Sequence, residues 1–168
     1  MWQRRTFHDC ATELLGISKT FREAYLANPP AADQERILIH CSKDGVDILK
    51  ILAVSIRAHQ DYGQTARRST QVGAMKTEIA SGDIPAFIRD YRAPYRNLSG
   101  FVPLDLREAL NKIVHVNPTQ AGFFANRNHH DLILAGRKGR DYWLAVLSVI
   151  DLCNVVQALP DVKTKAPE

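Results

Sequence analysis

No stretch of this chain is apolar for long enough to cross a bilayer. A spanning helix needs about 20 consecutive apolar residues. The best runs here, Ile48–Ile56 and Tyr142–Ile150, are about nine long, and the first is broken by Lys50. No hydrophobic segment follows the charges of the N-terminal Met1-Trp-Gln-Arg-Arg5, so a secretory signal is not expected. Cysteine is scarce: Cys10, Cys41 and Cys153 are far apart and set in apolar helical patterns. Reduced core thiols of a cytoplasmic protein are expected, rather than a disulfide framework or a metal set. Common enzyme signatures are missing as well. Gly136-Arg-Lys-Gly139 lacks the length and the Lys-Ser/Thr ending of a phosphate loop. There is no Gly-x-Ser-x-Gly elbow and no nucleophilic cysteine with a histidine motif nearby. Asp44 and Asp47 have no matching carboxylate pair elsewhere, so neither a bridged metal nor any other cofactor is expected.

What is present suits one soluble domain. The 168 residues are 45% hydrophobic, enough for a core, and 24% charged. The net charge of +4 tilts weakly toward polyanionic partners.

Thr6 followed by Asp9 reads as an N-cap, and Leu14, Leu15, Ile17, Phe21 and Tyr25 carry a helix that Pro29-Pro30 ends. Asp33 caps a longer segment to about Gln60, in which Ile37, Cys41, Ile48, Leu52 and Ile56 keep helical spacing. Ser42-Lys-Asp-Gly45 can be a turn that splits this segment, but one helix with a tolerated glycine is favoured. Val72, Met75 and Ile79 predict a short helix over 70–80, and Asp83 to Tyr91 another. Positions 116–128 read as a loop. Asp131-Leu-Ile-Leu-Ala and Tyr142-Trp-Leu-Ala-Val-Leu are strand-like runs joined by Gly136-Arg-Lys-Gly139, a hairpin signal at about 130–148. Asp151 to Leu159 forms a closing helix, and 161–168 is a polar tail. The expected fold is mainly α: a four- to five-helix bundle over residues 1–160 with one C-terminal β-hairpin and a short helix after it. Leu132 and Leu134 fall on one face of the hairpin and Ile133 on the other, so both faces should be at least partly covered.

The chief polar constellation lies on Leu104 to His115. Helical geometry puts Arg107, Asn111 and His115 in one row, about 6 Å apart and drifting roughly 40° per step. Leu106, Ala109, Leu110, Ile113 and Val114 form the apolar stripe beside it. An imidazole moves protons near neutrality, a guanidinium holds phosphate bidentately, and an amide orients either. These chemistries suit metal-independent RNA cleavage, in which a 2′-hydroxyl attacks the adjacent phosphate. The structural alternative pairs Arg107 with Glu108 or Asp105, leaves Asn111 in solvent and sets His115 against the helix dipole.

A helical chain with a late helix carrying Asn111-Lys-Ile-Val-His115 resembles the HEPN superfamily, whose signature is an arginine and a histidine on one helix. Here Arg107 is followed by acidic Glu108, and the interval to His115 is longer than in that signature. The resemblance implies a small helical bundle, often a homodimer with a shared cleft. It also implies an RNA-binding or RNA-cleaving role, as in bacterial defence and toxin systems. His115 would be the acid/base, Arg107 the phosphate anchor and Asn111 the orienter.

Arg89, Arg92 and Arg96 interleave with Tyr91 and Tyr95, while Arg137, Lys138 and Arg140 crowd the hairpin tip. Arginines among aromatics can meet phosphates while the rings stack on bases, making Arg92, Arg96, Lys112, Arg137 and Lys138 candidate RNA contacts. The alternative is a tyrosine-anchored surface whose arginines pair with neighbouring aspartates. In Arg127-Asn-His-His-Asp131, adjacent histidines on an extended segment face opposite ways, so a polar strand start is expected rather than a metal site. A second functional class also fits: a non-enzymatic helical interaction module that docks a protein partner through its hairpin.

Overall fold

A computed structural model describes residues 5–30, 32–65 and 68–161. Helices α1 (Phe7–Tyr25) and α2 (Gln34–Asp61) come first, then β1 (Gln71–Ile79), α3 (Asp83–Asp90) and a 3-10 turn at Tyr95–Asn97. After these come β2 (Val102–Asp105), α4 (Leu106–His115), β3 (Gly122–Ala125), β4 (His130–Lys138), β5 (Asp141–Ser148) and α5 (Val149–Gln157). The five strands form one antiparallel sheet in the order β2-β1-β5-β4-β3. The fold is therefore α+β, which corrects the helical bundle expected from the sequence.

The hairpin is present, but it is not an appendage. β4 and β5 occupy the middle of the sheet, with Leu134 opposite Ala145 and Gly139 turning the chain at φ 65°. The expected helix over 70–80 is strand β1. Gly73 is the reason: a Cβ there would collide with the Val146 carbonyl, so the backbones of β1 and β5 meet only because this residue has none. The region read as a loop, 116–128, contains the edge strand β3.

Both faces of the sheet are covered. On one, α1, α2, α4 and α5 bring Leu14, Leu52, Ile56, Leu110 and Leu152 onto Leu134, Trp143 and Leu147. On the other, Ile84, Tyr91 and Tyr95 pack on Ile133, Ala135, Leu144 and Val146. Leu132, Leu134 and Ile133 divide between the faces as their alternation requires.

The long helices follow their sequence signals. Thr6 and Asp9 make a reciprocal capping box at α1. α2 runs unbroken through Gly45, although Asp33 makes no side-chain cap bond. The three cysteines are buried and free. Among the described residues no helix is long and apolar enough to cross a membrane. Most of the expected polar tail lies outside the described residues.

Candidate functional site

Asp105 starts α4 by accepting a hydrogen bond from the Glu108 amide at 2.9 Å. The helix then presents Arg107, Asn111 and His115 as its sequence predicted, but in three different settings. Arg107 Nη1 donates to the Arg57 carbonyl at 3.0 Å, and Nη2 pairs with Asp61 Oδ1 at 2.9 Å. Its side chain is 15% exposed, so the guanidinium ties α4 to the C-terminal end of α2. Asn111 donates to Glu108 at 3.4 Å. His115 is exposed on the last turn. It lies two turns from Arg107, about 12 Å along the helix.

The last turns of α4 lie instead against the hairpin. A Cβ on Gly136 would sit 2.9 Å from the His115 carbonyl, so β4 passes directly beside that residue. Lys112 Nζ stands 4.6 Å from the centroid of the Trp143 ring. Its pKa is held below the usual lysine value, first by burial. Glu108 opposes that shift and the Lys138 ammonium adds to it, so the two lysines are close. Across the hairpin, the Arg137 guanidinium lies 5.3 Å from the centroid of Tyr142. Lys112, His115, Arg137 and Lys138 therefore share one end of the molecule, with Glu108 and Asp141 as the nearby acids.

Arg92 and Arg96 lie elsewhere. Arg92 Nη1 donates to the Arg89 and Tyr91 carbonyls, at 3.0 and 2.6 Å. Arg96 pairs with Asp151 at 3.1 Å. That neighbourhood adjoins Asp131 at the start of β4, roughly 23 Å along the strand from Lys138. Tyr91 and Tyr95 are buried and cannot act as stacking platforms. Their hydroxyls donate to Asp131 at 2.6 Å and to Asp151 at 2.7 Å. Burial and these carboxylates raise both tyrosine pKa values. Burial likewise raises Asp131 above the usual carboxylate range, against the Tyr91 hydrogen bond.

His129 and His130 separate as alternation requires, and among the described residues no group of three potential ligands could hold a metal. His130 turns into the helical layer. Its Nδ1 lies 2.9 Å from Ser18 Oγ, and its ring stacks on Phe21 at 4.8 Å. Burial, assisted by the Arg22 charge, pushes its pKa down to about 4. The Ser18–His130 pair joins positions 112 apart, and no sequence pattern signals it. At the end of α2, buried atoms of Arg57, His59, Gln60 and Thr65 have no hydrogen-bond partner among the described residues, another feature without a sequence signal.

No protein-family model, no curated protein and no solved structure matches the chain.

Proposed function

We propose that this protein binds RNA through the face formed by the end of α4 and the β4–β5 turn. The observation that carries the reading is the convergence of Lys112 and Lys138. Glu108 and Asp141 offset part of the repulsion between the two ammonium groups, and a phosphate backbone supplies a row of further anions. Exposed His115 and Arg140 extend the face, while Arg137 and the Tyr142 ring it covers lie at the same end of the molecule on the opposite side of the sheet. The resemblance of the α4 segment to HEPN helices favours the same ligand class. Cleavage has weaker support than binding, because the guanidinium that would anchor the scissile phosphate is engaged on α2. Docking a protein through the hairpin also has little support, since β4 and β5 are inner strands with partners on both sides.

The test is anisotropy of a labelled mixed-sequence RNA between about 50 and 200 mM salt, where a protein neutralising several phosphates loses affinity steeply. Lys112→Ala/Lys138→Ala should weaken binding at least tenfold and lower the slope of log K against log salt by about one per lost contact. Binding that ignores salt and this double variant would overturn the reading. The same RNA held with protein in EDTA should stay intact. Cleavage that His115→Ala abolishes would replace binding with catalysis. The homodimer implied by the resemblance predicts a mass that rises with concentration.

A further inference from the structure

Between α1, α2 and the start of β4 lies an apolar cavity of about 100 Å³, walled chiefly by Leu14, Ile17, Leu49, Phe123, Leu132 and Val149. Ser18 and His130 also line it, and they are 1% and 8% exposed. Nδ1 is the His130 ring nitrogen with a protein partner. Nε2 has none among the described residues. Ser18 Oγ has no second partner there, and an unmet buried O–H is costlier than an unmet acceptor lone pair. The hydroxyl therefore donates to Nδ1, which leaves the ring proton on Nε2, a donor without a protein partner among the described residues and not sealed from solvent.

Gly45 makes a second, independent argument. It sits inside α2, where glycine costs about 1 kcal/mol relative to alanine. A Cβ there would meet Ile17 and Leu14 at 3.6 and 3.7 Å, ordinary contact distances. Packing therefore does not require glycine, and its absent side chain keeps the cavity open. The pair is not a hydrolytic dyad. Ser18 lies in mid-helix, where the neighbouring backbone N–H groups are committed to helical hydrogen bonds and none can stabilise an oxyanion.

We propose that this cavity binds a small, neutral, mainly apolar molecule bearing one hydrogen-bond acceptor, which receives the Nε2 proton of His130. The volume sets the size: the cavity is smaller than the roughly 150 Å³ that accommodates benzene but is open to solvent on one side, so a short chain fits inside and one small ring fits with part of it in the mouth. Neutrality follows from the cost of burying a charge without a counter-ion. An apolar side chain of a protein partner could fill the space, but it would leave Nε2 unmet.

Cyclohexanone is the probe, with cyclohexane as the control lacking an acceptor. In protein labelled with nitrogen-15 at histidine, cyclohexanone should shift the His130 Nε2 resonance saturably, in the millimolar range or below. Cyclohexane should leave that resonance in place. Gly45→Leu should fill the cavity and abolish the response, with folding checked by circular dichroism. Should that variant not fold, Ser18→Ala/His130→Phe keeps the aromatic stack and leaves no hydroxyl unmet. Read from the cavity methyl resonances of Leu14 and Ile17, it should reduce cyclohexanone affinity at least fivefold while leaving cyclohexane affinity unchanged. No saturable shift, or equal binding of the two probes to wild type, would overturn the proposal.

Discussion

The guanidinium of Arg107 meets a backbone carbonyl and a carboxylate, both on α2, and so acts between elements. Asp61 is 54% exposed, so the ion pair itself contributes little, while the hydrogen bond to the Arg57 carbonyl is the stronger term. Arg107→Ala should cost about 1–2 kcal/mol in urea denaturation. It should leave RNA affinity unchanged. A variant of normal stability with tenfold weaker RNA binding would return Arg107 to the ligand. His59 behaves oppositely: both ring nitrogens lack partners among the described residues, and the ring meets Phe7 edge-on at 5.4 Å. His59→Phe should be neutral or stabilise by up to about 1 kcal/mol, and a clear loss would reveal water or a ligand on those nitrogens. His130 carries a pH dependence whose sign is fixed. Its pKa is about 4 when folded, against 6.5 ordinarily, so the unfolded chain binds the extra proton between these values. Stability from this group is complete above about pH 6.5 and falls as pH drops toward 4, by at most about 3 kcal/mol. Asp131, raised by burial, works in the opposite sense, losing its contribution as pH rises through its folded pKa. The difference between wild type and Ser18→Ala/His130→Phe isolates the histidine: the acid-side loss of stability should shrink in the variant.

Elements held together by local signals were legible, and those defined by distant partners were not. The hairpin needs only a glycine-bearing turn between two alternating runs, and its strands fall at His130–Lys138 and Asp141–Ser148. β1 finds its partner β5 about 70 positions later. Its Val72, Met75 and Ile79 happen to sit at helical intervals, so periodicity pointed to the wrong element. The α4 helix and its polar row were legible for the same local reason, whereas Arg107's partners on α2 were not. Tyr91 and Tyr95 showed as aromatics among arginines, but the carboxylates that bury them come from β4 and α5. Two glycines make the contrast testable. Gly73→Ala forces a Cβ into the Val146 carbonyl and should abolish cooperative unfolding or cost more than about 3 kcal/mol. Gly45→Ala meets only ordinary contacts and should stabilise by about 0.5–1 kcal/mol. Thermal melts of the pair should move in opposite directions.

At the scale of the whole molecule, β4 links two unlike ends. His130 at its start lines the apolar cavity, and Lys138 at its finish belongs to the basic face, roughly 26 Å away along the strand. Communication between them would require an element with two arrangements, each favoured by one ligand. β4 is a poor candidate. It is paired on both sides, and its residues pack into both cores, so sliding it would break two ladders and move each side chain to the wrong face. The helices lining the cavity offer more freedom, but α4, which carries the basic face, is not among its walls. The two sites should therefore be thermodynamically independent. Saturating cyclohexanone should leave RNA affinity within twofold, and Gly45→Leu should bind RNA as wild type does. Because coupling is reciprocal, RNA must alter cyclohexanone affinity by the same factor that cyclohexanone alters RNA affinity. A shift above fivefold in both directions would mean that the helical layer moves as a unit between two packings. A shift seen in only one titration would instead mean that one probe binds at a second place.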